Sequence, residues 1–207
     1  MDTIRFNRLQ LRFERLSQLA VSITSESNLD KLLELILKAG VELTESDAGS
    51  VYLREKDQLF FRIALNKTLS QRVKRSLTTR FGRTVSVNIS ESSLAGFVAK
   101  NIKPLNIADA YQIPPEMPYR HNRDFDKASH YECHSMLLFP MVNHREEVVG
   151  VIQLINGHFN SETNEWKPYN TDDEKIIHSL SSLAAAAVTK SMLISEIYET
   201  YKLVMTR

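Results

Sequence analysis

Few residues in this chain can do chemistry by type alone, and their spacing narrows the choice. The one cysteine, Cys133, is followed directly by His134. A lone thiol forms no internal disulfide and supplies no multi-cysteine zinc site; its ordinary fate is a buried, inert side chain. The histidines, His121, His130, His134, His144, His158 and His178, show no HxxxH spacing on one helix, which argues against a metal centre. No Gly-x-Ser-x-Gly, phosphate loop or paired-cysteine motif occurs. No catalytic constellation is read, so the chain is not expected to be an enzyme and needs no cofactor. The expected chemistry is binding.

The groups that could bind gather in residues 92–156. This stretch opens with SSLAGFVAKN, continues through LNIADAY and DFDKASHYECHSMLLFPM, and closes with VVGVIQLIN. Leu94-Ala95-Gly96 reads as a helix start, whose unpaired N–H groups and positive dipole end suit an anion, though most such starts meet only water. Asp126 reads as a loop carboxylate. Gln153, between Ile152 and Leu154, faces either solvent or a ligand.

The elements that must position these groups follow from periodicity. Residues 4–24 read as a helix in which Leu9, Leu16 and Ile23 hold heptad spacing, with Leu19 between them. Asn28 caps a second helix to about Leu43, with Leu29, Leu32, Leu33, Ile36, Leu37 and Val41 as its buried stripe. Strands are expected at 48–53 and 58–65, a basic surface helix at 68–77, and a half-buried strand at 85–89. Ser90, Ser92 or Ser93 caps the helix carrying Leu94, Ala95 and Phe97. Residues 104–108 are extended, 109–131 form a long loop of the functional kind, and 136–142 and 147–155 form a central hairpin. A polar loop covers 157–170. Thr171 or Asp172 then caps a long final helix. In it Leu180, Ala187, Ile194 and Tyr201 make one heptad series, and Ile176, Leu183, Ile197 and Val204 the other, with Lys190 interrupting. No stop signal precedes Arg207, which predicts a further domain beyond it.

Composition sets the class. Of 207 residues, 43% are hydrophobic and 25% charged, and the net charge is +1. These are globular values, with no broad field to draw in nucleic acid or an anionic membrane. No apolar run reaches the ~20 residues of a membrane span. The N-terminus lacks a signal-peptide core. A cytoplasmic setting is expected.

The order of elements resembles a GAF domain over residues 28–187. It is most similar to the GAF domains of cyclic-nucleotide phosphodiesterases and of bacterial cyclases that bind cAMP or cGMP. Those carry segments like GxAGxVAxxxxxLNIxDAY, DxxTGYRTRSMLxxPI and GVxQLxN; here stand SLAGFVAKNIKPLNIADAY, DKASHYECHSMLLFPM and GVIQLIN. The family signature runs from Asn-Lys to Phe-x-x-x-Asp-Glu. This chain has Asn156 but then Gly157, and Tyr169 in place of the phenylalanine, before Asp173 and Glu174. The resemblance implies a lysine–aspartate salt bridge near a pocket lid, which Gly157 removes.

The resemblance implies an α+β fold, an antiparallel sheet with helices on one face, extended by coiled-coil helices at both ends. It divides the chain into a signalling helix (1–27), the sensor domain (28–187) and a coiled-coil helix (188–207). Carried over by position, it implies that Ser50 faces the ligand and that Leu94 and Ala95 N–H groups hold the cyclic phosphate. Asp126, Ser129 and Cys133 would contact base, ribose or phosphate. Gln153 replaces a glutamate, and Ala64 and Leu65 stand where a cGMP-binding relative has a phenylalanine and an acidic residue. Leu94, Phe97, Ala64 and Leu65 would wall the purine. Because leucine answers neither guanine donor while glutamine suits adenine, cAMP is expected over cGMP. The implied partners are that nucleotide and a second copy, in a homodimer through the terminal helices. The implied role is a regulatory sensor, closed by the 109–131 loop as a lid, that controls an output domain such as a diguanylate or adenylate cyclase or a phosphodiesterase. The alternative is a ligand-free dimerisation scaffold. A Cys-His pair also marks bilin attachment in phytochromes, but here it abuts the strand directly. The free methionine sulfoxide reductase branch needs a resolving thiol that is absent.

Overall fold

The structure is a computed structural model that describes residues 3–74, 78–163 and 165–205. Its centre is an antiparallel sheet. Strands β1 (Ala48–Glu55) and β2 (Gln58–Asn66) form one hairpin; β6 (Met136–Val142) and β7 (Val148–Ile155) form another. They join through β1 and β7. The short strand β5 (Leu105–Ile107) closes the β6 edge. At the other edge β3 (Thr78–Arg80) and β4 (Ser86–Asn88) pair with opposite ends of β2.

Period-2 alternation gives each face its own core. Val51, Leu53, Leu137, Phe139, Ile152 and Leu154 face three long helices. These are α1 (Thr3–Ser25), α2 (Leu29–Leu43) and α6 (Thr171–Met205). Ala48, Leu59, Met136, Leu138, Val151 and Ile155 face the other way, under α4 (Leu94–Asn101). Asn28 caps α2 as expected, its Oδ1 accepting from Lys31 N–H at 3.0 Å. Gly49 lets α2 lie close: a Cβ there would stand 3.0 Å from Leu37 Cδ1 and 2.9 Å from the Gln153 carbonyl oxygen.

Several expectations are revised. The surface helix predicted at 68–77 is α3 (Lys67–Arg72); Val73 and Lys74 turn away from it, and 75–77 lie outside the described residues. The 109–131 loop contains a 3-10 turn, Ala110–Gln112, and a helix α5 (Asp124–Ser129). The 157–170 loop contains a hairpin of β8 (His158–Asn160) and β9 (Glu165–Lys167). Helix α6 is capped by neither Thr171 nor Asp172. Asn170 Oδ1 accepts from the N–H groups of Asp172 at 2.9 Å and Asp173 at 3.1 Å.

The heptad seam of α1 is satisfied within the chain. Leu16 and Ile23 are buried, and Leu9 and Leu19 pack beside them on the helix-side core. The α6 seam divides: Ile176, Leu180 and Ala187 are buried, whereas Ile194, Ile197, Tyr201 and Val204 are exposed. Helix α6 is long and apolar enough, by composition, to cross a membrane, but half of its most apolar window is buried inside the protein.

Candidate functional site

On the α4 side of the sheet lies a cavity of about 370 Å³, within the usual range for ligand pockets. Its floor is set by register. Ser50 stands opposite Ala64 on β2 and opposite Gln153 on β7. The three side chains therefore form one row on the same face. Ser50 is 3% exposed, and Gln153 Nε2 lies 3.9 Å from Met136 Sδ, which leaves its amide oxygen for another partner. Gln153 thus points into the cavity and not to solvent.

Helix α4 forms one wall. Ser93 is its N-cap and takes Gly96 N–H on its Oγ at 3.1 Å, leaving the N–H groups of Leu94 and Ala95 outside the helix's own ladder. Both residues line the cavity. Gly96 is required here: a Cβ would stand 2.6 Å from the Asn88 carbonyl oxygen and 2.7 Å from that of Ser90. A single parallel bridge joins Ser93 to Arg120, with Arg120 N–H bonded to Ser92 O at 3.0 Å. That bridge brings a cation, unremarked in the sequence, to the cavity's edge. The Arg120 guanidinium is held by the carbonyl oxygens of Pro115, Met117 and Tyr119.

The far wall is α5 and the segment after it. Asp126 is 4% exposed. Its Oδ2 accepts from Tyr111 hydroxyl at 2.6 Å and Cys133 N–H at 3.0 Å, with His121 Nε2 at 3.0 Å. Its Oδ1 is buried with no well-formed hydrogen bond among the described residues. Burial pushes the Asp126 pKa up, but the bonds from Tyr111, Cys133 N–H and His121 outweigh it, so the carboxyl stays below its ordinary value and ionised. Burial, then the Asp126 charge, push the Cys133 thiol well above its ordinary pKa. It is no nucleophile in this state. One ligand atom from each of His121, Asp126 and Cys133 lies within 4.8 Å of the others.

Asn156, the first residue of the family signature, holds this wall to the sheet. It adopts φ +57° and is 4% exposed. Its Oδ1 accepts from His134 N–H at 2.8 Å, and its Nδ2 donates to Glu132 O at 2.8 Å and to Tyr131 hydroxyl at 3.1 Å.

Ser50, Ala64, Leu94, Ala95, Asp126, Cys133 and Gln153 therefore meet around one cavity. Three expectations are corrected. Leu65 touches the edge, but alternation turns its side chain to the helix-side core. Phe97 packs edge-on against Tyr119, centroids 4.8 Å apart, away from the lining. Ser129 spends its hydroxyl on Phe125 O at 2.7 Å within α5. Lining residues missed in the sequence include His121, Arg120 and Phe125. None of the three carries a local sequence signal; Phe125 stands out only in the structure, as an aromatic ring 54% exposed on a short helix.

The lost signature lysine has a substitute. At Gly157 a Cβ would strike the Tyr169 ring, its Cζ being 2.8 Å away, so the glycine and the tyrosine occupy each other's space. Asp173, wholly buried, is paired instead with Arg12 of α1 and with His158 Nε2, each at 2.6 Å.

A family profile described as GAF domain matches residues 28–188. Among curated proteins, the chain is 27% identical over 192 residues to the dual 3',5'-cyclic-AMP and -GMP phosphodiesterase 11A of Takifugu rubripes, covering 89% of this chain and 19% of that one. It is 22% identical to the cGMP-specific 3',5'-cyclic phosphodiesterase of Drosophila virilis, covering 91% of this chain and 20% of that one. The chain thus spans about a fifth of these relatives. In fold it is similar to the GAF domain of a phosphoenolpyruvate-protein phosphotransferase from Coxiella burnetii, with TM-score 0.69, 18% identity, and 91% and 98% of the two chains covered. It is also similar to the free methionine-R-sulfoxide reductase of Neisseria meningitidis, with TM-score 0.62, 12% identity, and 90% and 93% covered. The profile takes in the sheet, the capped helix α4 and the Asn156 anchor together, and on that match the chain belongs to the GAF domain family.

Proposed function

We propose that this domain is a regulatory sensor that binds a cyclic purine mononucleotide, cAMP in preference to cGMP, in the cavity between the sheet and α4. The observation that carries the reading is the convergence of the Ala64–Ser50–Gln153 row, the α4 N-terminus and Asp126 on one apolar-walled space. The cyclic phosphate sits over Leu94 and Ala95 N–H, where backbone donors and the helix dipole favour an anion. The Asp126 carboxylate repels phosphate, so it faces the opposite end and accepts a ribose hydroxyl or a base amino group on Oδ1. Gln153 reads the base, its amide giving and taking a hydrogen bond as adenine requires. Leu65 no longer enters, since its side chain lies on the other face. The preference rests on Gln153. Similarity to phosphodiesterases named for cyclic AMP and GMP supports the ligand class.

In this reading the 109–131 segment is the lid, and α6 carries the signal as a parallel dimer to an output domain of the cyclase or phosphodiesterase kind. Calorimetric titration with both nucleotides tests it. A good bidentate amide–base pair is worth about 1–3 kcal/mol, or about 5- to 150-fold in favour of cAMP. Gln153→Leu should erase that margin. Equal affinities overturn the adenine assignment; no binding of either nucleotide leaves the scaffold reading.

A further inference from the structure

We propose that His121, Asp126 and Cys133 form a three-ligand site for a zinc-type divalent cation, opening into the cavity. The three residues stand before, within and after the short helix α5, and its folding gathers them. Among the described residues this is the one such group whose ligand atoms all lie within 4.8 Å of each other. It is largely shielded from bulk solvent: the His121 and Asp126 side chains are 9% and 3% exposed, and Cys133 is 3% exposed.

The donor set is imidazole, carboxylate and sulfur. That mixture suits a borderline cation such as Zn²⁺ and not Ca²⁺ or Mg²⁺, which take oxygen ligands. Zn–ligand lengths of about 2.0–2.3 Å give tetrahedral edges of roughly 3.3–3.6 Å, so separations within 4.8 Å close by about 1.5 Å at most.

Asp126 supplies the second, independent observation. Its Oδ1 is buried beside the cavity with no well-formed hydrogen bond among the described residues; the Cys133 thiol, a weak donor, is the further group that acts on this carboxylate. Its Oδ2 is fixed by Tyr111 hydroxyl at 2.6 Å and Cys133 N–H at 3.0 Å. These are the outer bonds that orient a ligating carboxylate. The cation takes Oδ1, replaces the His121–Asp126 hydrogen bond, and displaces one proton from Cys133 Sγ to solvent, leaving the thiolate as ligand. Three protein ligands leave a fourth position that faces the cavity, the pattern of an exchangeable site and not of a closed structural one.

The cation and the proposed nucleotide would both use Asp126 Oδ1, so the inference is tested without nucleotide. The whole chain, stripped with a chelator under a non-thiol reductant, is titrated with Co²⁺ and followed by absorbance. One equivalent should give an intense near-ultraviolet sulfur-to-cobalt charge-transfer band with tetrahedral d–d bands, reversed by Zn²⁺. Cys133→Ser should abolish the charge transfer. His121→Gln, a change at the cavity wall that covers the case in which the buried serine variant does not fold, should weaken Co²⁺ at least tenfold. Absence of the sulfur band in the folded native chain overturns the proposal, as does an affinity unchanged by His121→Gln. Nucleotide titration of the same chelator-treated protein reads the other proposal separately.

Discussion

Arg12, midway along the first helix, meets Asp173, in the first turn of the last, at 2.6 Å, and the carboxylate is only 1% exposed. A neighbouring pair, Arg5 and Asp172, bonds at 2.7 Å but leaves the arginine 53% exposed. The two contacts look alike on paper and differ in solvent. Breaking a buried pair from one side strands a charge and costs roughly 3–5 kcal/mol, whereas a surface pair is worth about 0–1 kcal/mol. Asp173→Asn should therefore lower urea-unfolding stability by several kcal/mol and Asp172→Asn by less than about one. Similar small losses for both would refute the distinction.

The same carboxylate predicts a pH dependence. The hydrogen bond from His158 to Asp173 raises the histidine pKa above 6.5, against the opposing effect of burial. A raised folded pKa contributes stability fully present below the unfolded value and lost as pH rises through the folded one. Asp173 is pushed up by burial but held lower overall by His158, Asn170 N–H and Arg12, from an ordinary 3.8. Its contribution is present above that value and lost as pH falls through the depressed one. Stability should then be greatest between about pH 4 and 6.5 and decline above it. In His158→Gln the decline above pH 6.5 should flatten; thermal unfolding across pH reads both limbs.

Restoring the family lysine should do harm here. Gly157→Lys drives a Cβ into the Tyr169 ring, whose hydroxyl is bonded to Ser46 Oγ at 2.8 Å. Overpacking of this kind costs about 1–3 kcal/mol. A stabilised variant would show that Arg12 and His158 do not already fill the lysine's role.

The exposed end of α6 makes the dimer testable apart from the fold. Ile197 and Tyr201 are 68% and 61% exposed, so Ile197→Glu with Tyr201→Glu should leave the melting temperature unchanged and turn a sedimenting dimer into a monomer. Leu16→Ala, in contrast, opens an intrachain core and should cost about 2–5 kcal/mol without changing association. A monomeric native chain at tens of micromolar, roughly the range of a specific interface, would end the dimer reading.

These contrasts also show what the sequence could carry. The hairpin of β6 and β7 was legible because each strand is a short apolar run bounded by polar turn residues, whereas runs buried on both faces do not say which side chain faces the cavity. Asn28 was legible as a cap, and Ser93 as one of three candidate serines, because capping is a local transaction. The α1 heptads were legible as an apolar seam but not as to its partner: periodicity says that a stripe is buried, not against what. Leu65 was assigned to the ligand although it alternates with Ala64, so it only touches the cavity edge while its side chain packs on the helix-side core. Helix α5 has too few residues to show a period. What fixes it is Asp126, bonded to Tyr111 and to Cys133 N–H, and such contacts leave no trace in spacing.

Gln153 does not stand alone on β7. Its neighbours Ile152 and Leu154 belong to the core shared by α1, α2 and α6. One strand is floor to the cavity on one face and bedding for the long helices on the other, so a substitution on β7 meets two packed layers at once.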